Sequence, residues 1–438
     1  MGGRRAAALT EAGEGATSDA MTARALTTPA ARFDIAVVGG GPAGLAAALA
    51  CARGGARTAL VLRSGVQAED LRTAALFPAS VRLLDNLGVW RGLEAEAAPL
   101  RAIRILDDTS WLLKAPEIVF NADEIGETAL ATNVANAALV RALTAALGDC
   151  PTLTQFATTG TPRYSQAGRE VVLALSDSVE LSASLVVAAD GRSSPLRNFA
   201  GITARERNLD QTALVATFSH SRPHNGVSTE IHRDAGPLTA VPLPGNRSSL
   251  VWVERPRQAE RLAGLAELAF AAELQSRLHG LLGTVSGLGP RMSFPLQWLE
   301  VDQVARNRIA LIGEAAHVLP PIGAQGLNLG LRDAADLAEV VLPAIAGRRD
   351  PGAIDVLAAY DRARRADTQS RSFTVDVLNR SLESGTLPLQ LARGLGMFAM
   401  NLSPMLKRAV MQHGAGGLGL PPTLMRRAEI LPPGRAAG

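Results

Sequence analysis

Hydrophobic positions along this chain come in two textures. The first is continuous. Phe33 to Val38 is an apolar run, and Thr58–Leu62 repeats it after a stretch from Ala43 to Ala52 that reads as a small-residue helix. Leu185 to Ala189 and Arg308 to Ile312 are further runs of this kind. Short unbroken apolar segments bounded by glycine or acid predict strands buried on both faces. The second texture alternates. Ala213–Phe218, Ser228–His232, Leu238–Leu243 and Ser249–Val253 lie between Pro, Gly and Asn turns and predict antiparallel sheet. The chain therefore reads as α/β, with a second domain inserted into the first.

Weaker patterns fill the intervals. Ile103 with Ile105, Trp111 to Leu113, Ile118 to Phe120, Thr161–Tyr164 and Glu170–Leu175 are strand-like. Helices are expected from Asp70, as N-cap, toward Leu87, over Thr132 to Leu147, Arg257 to Leu281, Leu327 to Ala346 and Pro351 to Ser384. Leu389 to Met411 predicts two further apolar helices broken at Ser403-Pro404.

Composition narrows the class. The 438 residues are 47% hydrophobic and 19% charged, enough for two packed domains. Net charge is only +3, with arginines scattered among acids, which does not suggest a nucleic-acid surface. Cys51 and Cys150 make neither a disulfide framework nor a metal-ligand spacing, so no metal is expected and a reducing cytoplasm fits. No charge-free run of about 20 apolar residues predicts a spanning helix. Residues 1–32, rich in Ala, Thr, Gly and Arg, lack the apolar core of a signal peptide and read as a disordered tail.

The candidate chemistry begins at Gly39-x-Gly41-x-x-Gly44, between the first strand and the first helix. The first glycine permits the turn, the second lets backbone approach a pyrophosphate, and the third lets helix pack on strand. The helix N-terminus then offers unpaired N–H groups to phosphate. An ordinary glycine-rich turn is the plain alternative. The second strand ends Leu60-Val61-Leu62-Arg63-Ser64 with no ribose-binding carboxylate, and Glu69 comes several residues late. Arg72, in the first turn of its expected helix, opposes the helix dipole, which is explained if it faces an anion; a solvated surface arginine is the equal alternative.

Asp190-Gly191-x-x-Ser194-x-x-Arg197 supplies a carboxylate, a hydroxyl and a cation at a strand-to-helix turn, or else a turn with a capping serine. Gly313-Glu314 ends another strand, and Pro320, Pro321, Gly323, Gly326 and Asn328 lead into a helix whose N-terminus makes a second anion or carbonyl site. His317 reads more readily as structural than as catalytic. Leu391, Leu395, Phe398, Met400, Met405, Leu406 and Val410, flanked by Lys407, Arg408 and Arg426, make either a helical cap or a surface for a membrane or lipid substrate.

These three motifs, in this order and spacing, resemble those of the group A flavoprotein monooxygenases. Within that group the chain is most similar to the ubiquinone-biosynthesis (polyprenylphenol) hydroxylases. The residues that carry this are Asp70 to Leu76, Gly236 to Leu243, Ser249 to Trp252, Ser293-Phe294-Pro295-Leu296, Pro320 to Asp333 and Leu378-Asn379-Arg380. The resemblance implies the p-hydroxybenzoate hydroxylase-like fold. It has a Rossmann-like FAD-binding domain (33–100, 126–205 and 296–365), an inserted antiparallel-sheet substrate domain (101–125 and 206–295) and C-terminal helices (366–438).

It also implies FAD on Gly39, Gly41, Gly44, Arg72 and Asp190, with Gly313 and Glu314 at the ribityl chain and Gly323, Gly326, Leu327 and Asn328 along the ring. Relatives usually carry Asp where Glu314 stands, and often an acid where Leu62 stands. The implied reaction is ring hydroxylation of a polyprenylphenol through a flavin C4a-hydroperoxide, with O2 and with NAD(P)H as a transient donor, since no second dinucleotide fingerprint occurs. No residue is assigned as catalytic. The ring is expected between Pro242-Leu243-Pro244 and Pro320 to Gly326. An apolar substrate implies peripheral contact with the inner face of the cytoplasmic membrane and other ubiquinone-biosynthesis proteins as partners. Competing readings are a hydroxylase of a soluble aromatic, a flavin-dependent halogenase (whose Trp-x-Trp-x-Ile-Pro signature is absent) or prenyl reductase, and a non-catalytic assembly subunit.

Overall fold

The computed structural model describes residues 31–65, 70–110, 114–383, 387–416 and 420–427. Residues 1–30 of the expected tail, Glu69 and the strand-like Trp111 to Leu113 lie outside the described residues, while Ala31 and Arg32, expected in the tail, already pair as strand with Leu181 and Ser182. Ten helices occur among them: α1 (Pro42–Arg53), α2 (Pro78–Asn86), α3 (Asn136–Leu147), α4 (Pro195–Phe199), α5 (Pro256–Gly264), α6 (Glu267–Arg277), α7 (Gln325–Ala346), α8 (Ile354–Glu383), α9 (Leu387–Leu402) and α10 (Pro404–Gly416).

The first sheet is mainly parallel. Its central strand, Ala31–Val38, lies between Glu180–Ala188 and Thr58–Arg63, with Ile309–Leu311 and Leu153–Thr158 outside them. Ile35, Ala36 and Val37 are fully buried at the centre of the sheet, with α1 packed against it. Helix α1 is buried from Gly44 through Ala52, as its nearly all-apolar, small-residue sequence requires.

The second sheet has nine strands and carries the alternating segments. Its longest strand, Ala204–His220, pairs antiparallel with Met292–Val301 and Arg247–Glu254. Strands Ala102–Asp107 and Ile118–Asn121, distant in sequence, extend it beyond Val227–His232. Strand Met292–Val301 runs past residue 295, where the two domains were expected to meet. Helices α5 and α6 cover one face through Trp252, Phe218, Phe270 and Leu274.

A three-stranded sheet, Thr73–Leu76, Ala131–Ala135 and Ala98–Leu100, lies between these two. It corrects two expectations. The segment after Asp70 is strand, not helix, because Thr73–Leu76 finds a ladder partner in Thr132–Ala135. The helix waits for Pro78, whose fixed φ suits a first helical position while its ring holds Phe77 extended. For the same reason Thr132 to Ala135 is strand and α3 begins only at Asn136. The single helix expected over Arg257 to Leu281 is two, broken at Leu265 and Ala266 after Gly264.

Candidate cofactor site

The glycine turn divides its labour as the spacing demands. Gly39 has φ +129°, and a Cβ there would lie 2.0 Å from the Ala189 carbonyl oxygen. A Cβ on Gly44 would lie 2.5 Å from the Gly39 oxygen. Both positions exist for close packing. Gly41 differs, because its Cβ would meet nothing within 4 Å. It begins α1, which has no side-chain cap and no acid in its first turn. The first N–H groups of α1 therefore face open space, which fits a pyrophosphate.

Asp190 stands on the turn between strand Glu180–Ala188 and α4. Its Oδ2 accepts the Leu196 N–H at 3.2 Å, while Oδ1 is buried and without a protein partner. Burial pushes its carboxyl pKa up, against the pull of Ser194 and nearby Arg197. An unpartnered buried acceptor fits a ligand hydroxyl. Ser194 caps α4 by accepting the Arg197 N–H at 2.9 Å. Arg197 turns inward and donates to the Ala315 carbonyl at 3.1 Å and to Glu206 at 3.2 Å.

Arg72 does not oppose a helix dipole, since it precedes a strand. Its Nε and Nη2 each donate to Asp70 at 2.8 Å, and its Nη1 lies 3.7 Å from Glu314. Burial raises the Asp70 carboxyl, but hydrogen bonds from Arg72 and Asn136 more than offset that and leave it below the ordinary range. Glu314 is half-exposed and bridges toward Arg72 across the mouth of the site.

Glu314 sits in the single turn Gly313–Ala315, where Gly313 has φ +58°. Added Cβ atoms on Gly313 and Gly330 would lie 3.3 and 3.2 Å from the Ala43 Cβ. Small residues thus bring α1, α7 and this turn together. Gly323 and Ala324 both have positive φ, and α7 starts at Gln325 without a side-chain cap. Gly323 and Gly326 are exposed, and Leu327 is half-buried.

Asn328 is employed inside the protein. Its Oδ1 accepts from the Phe77 N–H and the Ser80 hydroxyl, and its Nδ2 donates to the carbonyls of Ala75 and Ala324, at 2.7–2.8 Å. It bolts the start of α7 to the small sheet. Asn328→Ala is expected to lower stability by about 3 kcal/mol, because a buried amide proton and hydroxyl lose their acceptor. Urea unfolding reads this, and an unchanged midpoint would refute the bolt.

Of the expected substrate walls, Pro242-Leu243 abuts that small sheet. Pro242 and Leu243 are buried, and the Pro242 carbonyl accepts Asn133 Nδ2 at 2.9 Å. Thr73 and Ser249 hydroxyls meet at 2.8 Å beside them. Pro320 is also buried. His317 is buried against Asp333 at 2.7 Å, which is a structural placement. Sequence reasoning missed Asp333 and Arg364 behind this turn. An acid and an arginine at 0–2% side-chain exposure show no local signature that separates them from surface charges.

A family model described as FAD binding domain matches residues 32–371. The chain is 38% identical to ubiquinone hydroxylase UbiL of Rhodospirillum rubrum, over 91% of this chain and 93% of that one. It is 28% identical to 3-demethoxyubiquinol 3-hydroxylase of Escherichia coli, over 87% and 98% respectively. Among solved structures, p-nitrophenol 4-monooxygenase PnpA of Pseudomonas putida superposes with a TM-score of 0.71 at 18% identity, covering 89% of this chain and 100% of that one.

Proposed function

The chain belongs to the FAD binding domain family, and on that premise we propose that its FAD lies along the convergence of the glycine turn, Asp190 and Gly313-Glu314. The protein is an FAD-dependent monooxygenase that hydroxylates the ring of a polyprenylphenol intermediate of ubiquinone biosynthesis, with NAD(P)H as donor. The observation that carries the assignment of the site is this convergence. Gly44 packs on Ala189, Gly313 packs on Ala43, and Arg197 holds Ala315.

Bound reduced flavin supplies the chemistry, since it activates O2 for insertion into an electron-rich ring. The residues do the rest. N–H groups at Gly41 and the first turn of α1 hold the pyrophosphate. Arg72 adds positive charge, and Asp190 Oδ1 and Glu314 accept ligand hydroxyls. Gly323, Gly326 and Leu327 leave room for a flat ring. Pro242, Leu243 and Pro320 give apolar walls that keep water from it. Mass spectrometry of lipids from a deletion strain tests the function. The expected result is a polyprenylphenol lacking one hydroxyl, with little ubiquinone; normal ubiquinone would overturn it.

The substrate's apolar tail supports peripheral membrane contact at α9 and α10. Leu395, Phe398, Leu402 and Met405 are exposed there, Met405 by 83%. Met397 and Met411 instead pack inward, on the edge of the second sheet and its adjoining turn. Among the described residues no helix is long and apolar enough to cross a membrane. Lys407 is occupied by Glu124 at 2.7 Å, which leaves Arg408 to face acidic headgroups. Such contact would place the protein on the inner face of the cytoplasmic membrane, beside other ubiquinone-biosynthesis proteins. Leu395→Asp with Phe398→Asp is expected to reduce binding to anionic vesicles about tenfold or more. Equal co-sedimentation of parent and variant would remove the idea.

A further inference from the structure

Behind the two segments assigned to the flavin lies a buried ionic cluster with no part in that assignment. Asp333 Oδ2 accepts the Gly313 N–H at 2.9 Å and meets His317 Nε2 at 2.7 Å. Its Oδ1 accepts Arg364 Nε at 2.6 Å. Arg364, fully buried, also donates to Asp336 at 2.8 Å and Asp367 at 3.1 Å. Asp367 accepts from Arg371 at 3.1 Å, and Arg371 donates to Gln325, the first residue of α7. The chain of contacts thus starts at the Gly313 turn, runs along α8, and ends where α7 begins.

Charge balance is close. Asp333, Asp336 and Asp367 face Arg332, Arg364 and Arg371, with His317 beside them. Buried ion clusters are poor sources of stability, and well-packed apolar residues often serve as well or better. What they supply is direction, because every bond has a preferred angle and a fixed partner. Here one end of the cluster holds the Gly313 backbone N–H and the other holds the Gln325 side chain, both in segments that line one site.

We propose that Asp333, Arg364 and Arg371 are positioning residues, which fix the Gly313 turn and the start of α7 relative to each other so that FAD meets both in register. Helix α8 is the strut. Arg197 steadies the same turn from the opposite side, through the Ala315 carbonyl. The inference rests on the assignment of FAD to these two segments.

The test uses the full chain loaded with FAD and three variants, Asp333→Asn, Arg371→Gln and Arg371→Lys. Flavin fluorescence gives the FAD dissociation constant, the visible absorption band reports the ring's surroundings, and thermal unfolding of the protein without FAD reports the core. Asp333→Asn is expected to weaken FAD about tenfold and to change the shape of the flavin band. Arg371→Gln is expected to weaken it about threefold with a smaller spectral change, and Arg371→Lys to restore most of the loss. Arg371 lies at the rim of the cluster, so its variants decide the matter if Asp333→Asn does not fold. FAD affinity within twofold of the parent, with an unchanged band and a lowered melting temperature, would overturn the proposal and leave the cluster structural. A parent protein that binds no FAD would instead overturn the site assignment itself.

Discussion

Gly39→Ala is expected to yield little folded protein, whereas Gly41→Ala is expected to fold normally and lose FAD. The two positions lie two residues apart and differ in what a single methyl would meet. At residue 39 it would sit 2.0 Å from the Ala189 carbonyl, in a backbone conformation at φ +129° that L residues rarely adopt. Ala189 belongs to a chain segment whose N–H is bonded to Val38, so neither side has room to yield. Strain and clash together should cost about 4 kcal/mol, a large part of a domain's stability. At residue 41 the methyl enters open space, and φ is −73°, which alanine adopts freely. Its melting temperature should stay within about 2 °C of the parent. The methyl would fill the ground on which a pyrophosphate rests, and FAD affinity should fall by about a hundredfold or more. Circular dichroism melts and bound-flavin absorbance separate the two outcomes. A Gly41→Ala protein with the parent's flavin content would refute the placement of phosphate at α1.

Arg364→Met should produce the second large effect, a loss of about 3–5 kcal/mol in urea unfolding at neutral pH. Methionine is close to arginine in length but leaves Asp333, Asp336 and Asp367 buried with less compensating charge. The pH dependence follows from Asp333. Burial alone would raise its carboxyl; His317 and Arg364 reverse this and hold it at about 2, below the ordinary 3.8. A depressed folded-state pKa contributes stability that is fully present above the unfolded value and lost as pH falls through the folded one. In the parent that loss should therefore run from about pH 4 down to about pH 2. Without Arg364 the Asp333 pKa rises, and the acid transition should move upward. A urea stability within about 1 kcal/mol of the parent, with the same acid transition, would show that the cluster tolerates an unpaired carboxylate.

Some of this could be read from the chain alone. The strands near Val37, Val187 and Leu311 announce themselves as unbroken apolar runs because they are buried on both faces. The glycines at 39, 41 and 44 are legible because a strand, a tight turn and a helix follow one another within a dozen residues. By contrast, Thr73 to Leu76 carries no marked strand pattern. It becomes strand because a ladder partner about 60 residues away supplies the hydrogen bonds. Arg72, expected in a helix, stands at the head of that strand. Asn328, expected along the flavin ring, also ties the start of α7 to Ala75, Phe77 and Ser80 through its amide, a contact that no local pattern announces.

The sequence by itself determined the α/β class, the antiparallel sheet, the glycine turn and the monooxygenase resemblance. The first three depend on periodicity or spacing among neighbours, where backbone sterics and burial act residue by residue; the resemblance rests on three motifs far apart in the chain. Only the tertiary structure decided that Arg197 faces inward, that His317 meets Asp333, and that Arg364 bonds to three acids on α7 and α8. Those roles depend on which charges meet after distant segments pack. A buried arginine and an exposed one are the same letter until the fold removes the water.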